Sequence, residues 1–427
     1  MISCGAKQIE ITPPIGVPLA GYGSRIKGSE GIHDPLYAAL VYLNDSSREI
    51  LLVGLDLVAV DADFAAQTRM RITQETGIPE DSIMILCTHT HSGPDGYANA
   101  FPREGSDAGD CLRQNTMEKI AGAARWSKAS AHKATIGLGS EHVSGVGLNR
   151  NDPHKKIDDQ LTVVRIDVEG APLAVLVNYA CHPTVMSADN LQLSADLPGA
   201  VREYFRIHYP TSILLFMNGA AGDVSTRFTR RTQGFEELKR FGAILFGSIL
   251  ALMQRTQLVA DDRIISKRFP IGLPVRDFPS ETEAREVLAS SEKRYEELKR
   301  TSTEPAELRK AETKILGARV QARFAASLKG MKTVESEIQI VQLGDLTMVG
   351  IPGEPFSGIS LALKASFPDR SLMVVGYAND YMGYFPMGEQ EQTYETLKSP
   401  WAASIGDFLV EKCVPLIQQV QGENRNV

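Results

Sequence analysis

The chain is poor in cysteine. Its 427 residues hold five (Cys4, Cys87, Cys111, Cys181 and Cys413), an odd number without a CxxC pair. That fits reduced thiols in a cytoplasmic protein better than a disulfide framework. Cys87 and Cys181 each lie just ahead of a histidine, but a small apolar filler is the simpler role for both. There is no basic block and the net charge is −7, which argues against nucleic acid and anionic membrane surfaces as partners. No apolar run approaches the roughly 20 residues needed to cross a bilayer, so no transmembrane segment is expected. The first ten residues lack the apolar stretch of a secretory signal. Internal repeats and low-complexity tracts are also missing.

What is present describes a globular protein with enough chain for one large domain or two: 43% hydrophobic and 23% charged residues. Glu49 to Leu57 reads as a buried strand ending at Asp56, Asp61 to Thr76 as a helix closed by Gly77, and Ser82 to Leu86 as a second buried strand. Strand, helix and strand with short links make a βαβ unit with parallel strands. Asp56 then falls at a strand end, where bracing a loop is its expected task. Met117 to Trp126 reads as a helix and Ala134 to Leu138 as a strand. Gln160 to Val168 and Leu173 to Tyr179 read as a hairpin around Glu169-Gly170. Further on, Asp196 to His208 and Phe235 to Gln254 are expected helices, and Ser212 to Phe216 a strand. From Ser280 to Leu328 the composition turns to Glu, Lys, Arg and Ala at helical spacing, as in one or two surface helices inserted into the fold. Its charges suit a solvated face; a lid or a homo-oligomer contact are the alternatives. Strands return at Glu337 to Leu343, Leu346 to Gly350 and Ser371 to Gly376, with a helix from Ser357 to Ser366.

Chemistry-bearing residues gather where these strands end. After Ser82 to Leu86 come Thr88-His89-Thr90-His91-Ser92-Gly93-Pro94-Asp95-Gly96. If the backbone stays extended through Thr90, His89 and His91 project to one face. Two hydrogen-bonded histidines would give the same pattern, so the pair alone does not decide. His182 follows a third strand, and Asn218-Gly219-Ala220-Ala221-Gly222-Asp223-Val224-Ser225 a fourth. Small residues in such a loop let backbone N–H groups approach a ligand oxygen, although glycine loops also occur simply as turns. Glu354 and a tyrosine-rich turn, Tyr377 to Pro386, follow the last two. Histidines with a carboxylate make a catalytic zinc set with one position open for water or substrate. Such an ion lowers the pKa of bound water to about 7. The imidazoles favour zinc over magnesium.

These pieces resemble the neutral (non-lysosomal) ceramidases. The resemblance rests on Ile11-Thr12-Pro13 with Gly21-Tyr22, Thr88-His89-Thr90-His91-Ser92-Gly93-Pro94, Asn149-Arg150, and His182. It continues with Gly222-Asp223-Val224-Ser225, Gly353-Glu354 and Asn379-x-Tyr381-x-x-Tyr384, in the family's order and over nearly the whole chain. It implies a zinc ion (Zn2+) held by His89, His182, Glu354 and Tyr384, with Tyr381 the rival of Tyr384. It further implies that His91, Arg150 and a later tyrosine, for which Tyr394 is the candidate, polarise the scissile carbonyl. Ser225 would contact the substrate beside the metal, while Asp223 braces its loop. Gly21, Asp95 and Arg227 are candidate substrate-contacting positions. Two departures concern the substrate: the family's Pro-Asn after Gly-Asp-Val-Ser is Thr226-Arg227 here, and its Gly-Gly after His-Ser-Gly-Pro is Asp95-Gly96. The family's immunoglobulin-like C-terminal domain has no counterpart in this sequence.

The expected fold is therefore a single α/β catalytic domain of mixed β-sheets flanked by helices, carrying the 280–328 helical insertion and a metal site at strand ends. The expected activity is zinc-dependent hydrolysis of a small-molecule or lipid amide by metal-activated water. A zinc esterase or lactonase would use the same groups, and a catalytically silent metal-binding scaffold is the reading of another class. A serine hydrolase built on Ser225 lacks the Gly-x-Ser-x-Gly elbow. A metallo-β-lactamase pattern would need Asp at Gly93 and His at Pro94.

Overall fold

The computed structural model describes residues 2–98, 107–259, 263–301, 304–388 and 393–423. Along the strand Glu49–Leu55 both alternating sets of side chains are apolar. Leu51, Val53 and Leu55 face one core, while Ile50 and Leu52 face another. A strand apolar on both faces needs cover on both faces, and the fold supplies it. A nine-stranded mixed sheet runs Ile213–Asn218, Ala171–Tyr179, Gln160–Val168, His132–His142, Ser3–Glu10, Tyr37–Asn44, Glu49–Leu55, Ile83–Cys87, with Gln257–Leu258 paired beside His132–His142. A second sheet of four strands orders as Ile264–Pro274, Thr333–Leu343, Leu346–Gly350, Ser371–Val375. Met84, Leu86, Leu215 and Met217 of the large sheet pack against Val341, Met348, Met373 and Val375 of the small one. Each such buried side chain contributes about 1.5–3 kcal/mol of transfer free energy. Helices Ala62–Thr76, Asp107–Ala129, Asp196–His208 and Phe235–Met253 cover the outer face of the large sheet. Helices Ser357–Ser366 and Ile405–Glu423 cover that of the small sheet.

Three βαβ units position the site. Glu49–Leu55 and Ile83–Cys87, Ala171–Tyr179 and Ile213–Asn218, and Leu346–Gly350 and Ser371–Val375 are each parallel pairs. The helices between them are Ala62–Thr76, Asp196–His208 and Ser357–Ser366. The first helix starts where Asp61 accepts the Phe64 amide and stops at Gly77, which has φ of 73°, as a cap and a left-handed terminator should. Asp56 braces this region as expected: its buried carboxylate accepts the Tyr37 amide at 2.8 Å and Arg202 Nη2 at 2.6 Å.

The 280–328 segment folds as two packed helices, Glu281–Thr301 and Pro305–Ser327. Its charged residues are largely exposed, while Phe324 and Ala325 turn inward. Other boundaries move outward: the helix expected at Met117 to Trp126 spans Asp107–Ala129, and the strand at Ala134 to Leu138 spans His132–His142. Ile264–Pro274 carries no clear strand signal in sequence because Pro270 interrupts it. It is an edge strand, where a missing N–H costs no ladder bond. Residues 99–106 of the polar stretch after the histidine loop lie outside the described residues. Because Asp56→Ala strands the Arg202 charge in a buried setting, it is expected to cost about 3–5 kcal/mol of unfolding free energy, read from urea denaturation.

Candidate metal centre

The strand Ile83–Cys87 ends two residues before His89, and His89 is not extended: its φ is 68°. The expectation that both histidines share a strand face therefore fails. A left-handed residue, costly for any side chain but glycine's, swings His89 inward, and its amide is held by Leu57 O at 2.9 Å. The two imidazoles still meet. His89 Nε2 lies 3.1 Å from His182 Nε2 and 3.2 Å from His91 Nε2. Glu354 Oε2 stands 3.1 Å from His182 Nε2 and 3.4 Å from His89 Nε2. All four side chains are buried.

The hydrogen bonds fix what these atoms are. His89 Nδ1 is 2.6 Å from Val58 O and His182 Nδ1 is 2.7 Å from Ala221 O. A carbonyl only accepts, so both rings carry their proton on Nδ1 and turn a bare Nε2 lone pair inward. Burial first, then the Arg150 charge, pulls His182 down to about 4 despite Glu354, so this ring is neutral near pH 7. Burial and the two neighbouring histidines also hold His91 well below its usual value. With neutral rings facing it, Glu354 Oε2 has no hydrogen-bond donor. Acceptors facing one another in a buried space repel unless a cation lies among them. A tetrahedral ion with bonds of about 2.0–2.1 Å to nitrogen or oxygen separates its ligand atoms by about 3.3–3.4 Å, close to the spacing here. The residues fit a divalent ion, and the three histidines form a group able to hold one.

Other expected ligands are placed less centrally. Tyr381 Oη donates to Glu354 Oε1 at 2.5 Å, so this tyrosine orients the carboxylate. Tyr384 stacks over His182 at 6.4 Å between ring centroids and lies under Arg150, whose guanidinium carbon is 5.3 Å from its ring centroid. Burial and then Glu354 push both tyrosine hydroxyls well above their usual value. Tyr394, 38% exposed, meets Tyr384 edge to face at 6.3 Å. Arg150 Nη2 donates to Gly222 O at 2.6 Å, and its Nε lies 2.7 Å from Glu395 Oε1. Burial opposes the Arg150 charge, but Tyr384, Glu395 and Glu354 outweigh it and keep the group fully protonated.

The glycine loop works differently from expectation. Its amides bond backbone carbonyls: Gly219 N to Tyr179 O, Ala221 N to Gly219 O, and Gly222 N to Pro355 O. A Cβ on Gly222 would fall 2.5 Å from Glu354 O. The small residues admit the Glu354 backbone, not a ligand oxygen. Asp223 braces the loop, taking Asn149 Nδ2 at 2.8 Å and Ser357 N at 2.7 Å. Ser225 pairs across from Leu148 and forms a bridge with His182, and its Oγ accepts the Arg227 amide at 3.3 Å.

Some contributors carry no signal strong enough to single them out in sequence. Tyr377 stacks on His89 at 3.9 Å, and Glu395 anchors Arg150. Tyr22 meets His91 edge to face at 5.0 Å, and Arg25 donates to His91 O at 2.9 Å. Tyr22 stood in the Gly21-Tyr22 motif without an assigned role, and Glu395 had only its adjacency to Tyr394. Gly21 is a packing requirement: with φ of 92°, a Cβ there would lie 2.4 Å from His91 Cγ.

Over the centre opens a cavity of about 760 Å³ lined by His89, His91, Arg150, Ser225, Glu354 and Tyr384, among others. Gly21, Arg227 and Tyr394 also line it. Asp95 is not among the lining residues; its exposed carboxylate turns back onto the Gly96 amide at 2.8 Å. The helix Pro305–Ser327 contributes Val320, Arg323 and Phe324 to the wall.

A family model described as "Neutral/alkaline non-lysosomal ceramidase, N-terminal" matches residues 3–225, over half of the chain. A neutral ceramidase of Mycobacterium tuberculosis is 25% identical over 94% of this chain and 75% of its own length. That of Pseudomonas aeruginosa is 22% identical over 95% of this chain and 71% of its own length. The solved Pseudomonas aeruginosa neutral ceramidase superposes with a TM-score of 0.75 at 19% identity, covering 98% of this chain and 75% of that one. A ceramidase complexed with C2 gives 0.71 at 17%, covering 98% and 76%. At these identities the superpositions establish a shared α/β fold.

Tyr381→Phe removes the hydrogen bond that aims Glu354. Zinc affinity, measured by competition with a chromophoric chelator, is expected to fall about 10–100-fold, with the circular dichroism spectrum unchanged.

Proposed function

This chain belongs to the neutral/alkaline non-lysosomal ceramidase family, and from that premise we propose that it is a zinc-dependent amidohydrolase acting on an N-acyl compound. One observation carries the reading: three imidazole nitrogens and a carboxylate oxygen converge, buried, on one point at the floor of the cavity. His89, His182 and Glu354 would hold the ion, with Tyr384 and His91 the nearest candidates for a further bond. An ion bound there would supply Lewis acidity and lower the pKa of a water to about 7.

The chain's own groups account for the rest of the chemistry. The fixed Arg150 guanidinium lines the cavity beside Tyr384 and suits an oxygen gaining negative charge. Because Glu395 and the Gly222 carbonyl already hold it, little reorganisation is needed when that charge develops. His91 differs from its neighbours: its Nδ1 is buried without a partner, so no carbonyl fixes its tautomer. Such a ring can hold or release a proton at Nε2, as general acid–base work requires. Ser225 Oγ offers a hydrogen bond to the substrate. It has no imidazole partner among the described residues, which removes the support for a serine nucleophile. Tyr22 and Met382 close the walls around the reacting group and limit water.

Chelation is expected to abolish hydrolysis of N-acyl amides, and stoichiometric zinc to restore it. A chelated protein that stays fully active would overturn the reading. An ester-only turnover profile would move the activity to the esterase or lactonase class. His89→Ala is expected to lose zinc by elemental analysis. His91→Ala is expected to retain most of it while kcat falls about 100-fold or more, the scale of a lost acid–base group.

A further inference from the structure

The cavity is unequal in charge. Its two carboxylates are both engaged, Glu354 at the centre and Glu395 on Arg150. Among the described residues no other Asp or Glu lines it, whereas Arg227, Arg230, Arg323 and Lys398 do. Arg227 and Arg230 occupy the turn that follows Ser225, and Arg227 stands where the family pattern has asparagine. Their guanidinium groups donate to carbonyls: Arg227 Nη1 to Arg150 O at 3.5 Å, and Arg230 Nη1 to Thr184 O at 3.1 Å. Neither forms an ion pair with a carboxylate among the described residues. The nearby Asp196 is occupied by the amides of Val185, Met186 and Leu197. Arg230 is half-buried, and burial chiefly, with Arg227 adding to it, pulls its pKa below the usual value although Tyr22 and Asp196 oppose this. Guanidinium groups placed side by side at a cavity wall, with no carboxylate among the described residues in ion-pair contact, make a receptor for an oxyanion, which they bind through paired charge-assisted hydrogen bonds. Val320, Phe324, Met382 and Pro400 also line the cavity and give it an apolar portion.

We propose that the substrate is an acidic N-acyl compound. Its amide lies over the centre, an apolar arm lies along Val320 and Phe324, and an anionic group on the other arm is held by Arg227 and Arg230. The proposal rests on the amidohydrolase reading and narrows its substrate class. Carboxylate, sulfonate and phosphate share the recognising chemistry. Hydrolysis breaks the C–N bond and forms a C–O bond to the water oxygen, leaving a fatty carboxylate and an amine that still bears its acidic group.

The test compares N-lauroylglycine, N-lauroyltaurine and an N-lauroyl phosphoethanolamine with the neutral N-lauroylglycinamide and a lauroyl ceramide. With the zinc-loaded protein, kcat/KM is expected to be at least tenfold higher for one acidic amide than for either neutral one, through KM. The acid that wins identifies the anion. Arg227→Ala/Arg230→Ala is expected to collapse that ratio to within about twofold of one, while Arg227→Lys/Arg230→Lys keeps part of it. Equal turnover of neutral and acidic amides, or a ratio that survives the double alanine change, overturns the proposal and leaves the amidohydrolase reading standing. Equilibrium binding to the zinc-depleted protein separates the two claims. A tenfold preference for the acidic amide with no turnover of any amide would support the anion site and sink the amidohydrolase reading.

Discussion

Three buried acceptor atoms that face one another organise this molecule. His89 and His182 have no freedom to present anything but a lone pair, because Val58 and Ala221 carbonyls hold their protons on the other nitrogen. Glu354 brings a carboxylate to the same point, and its other oxygen is tied by Tyr381. Such an arrangement is repulsive by itself and becomes favourable around a cation, so metal binding and the packing of this region are linked. The surrounding structure maintains it with strain: His89, Tyr377 and Asn379 all have positive φ. These residues lie in the loops that carry the centre, where a costly backbone conformation is sustained by the fold around it.

The architecture explains how distant pieces of chain arrive together. Each βαβ unit returns its strands parallel, so each delivers its loops to one edge of its sheet. The large sheet brings His89 on one unit and both His182 and Ser225 on another. The small sheet brings Glu354 and the tyrosine turn. Asn379 locks the two together, taking the Ile85 amide at 2.9 Å and donating to Gln339 at 2.7 Å. Close approach of the two edges also dictates composition, since Gly222 must lack a side chain for the Glu354 backbone to pass. A fixed inner site is thereby combined with a cavity wall that draws on other segments, including the helix Pro305–Ser327.

Much of this was legible in the sequence because strand endings are local signals. Apolar runs that stop at a histidine, a glycine loop or a glutamate identify both the strand and its functional terminus. His89, His182 and Glu354 stood out this way, whereas Arg150 entered only through the resemblance to the ceramidases. The helices Glu281–Thr301 and Pro305–Ser327 were legible from composition, and the α/β class from the alternation of elements. What escaped depends on long-range geometry. The left-handed turn at His89 and the convergence of His91 on the same point have no local signature. Tyr381 and Tyr384 are chemically identical in sequence, and only the fold shows that Tyr381 holds Glu354. Asp95 suggested a substrate contact by its motif position, yet its loop turns it to solvent. Arg230 drew no attention until the turn placed it beside Arg227 on the cavity wall. The glycine loop was recognised, but its reason was misread.

The central claim is that the converging acceptors hold one metal ion and were built to do so. Anomalous diffraction from crystals of the zinc-loaded protein, recorded on both sides of the zinc absorption edge, tests it most directly. The account predicts a single strong edge-dependent peak within bonding distance of His89 Nε2, His182 Nε2 and Glu354 Oε2. An absent peak there, with the histidines bridged by water or by each other, would contradict it.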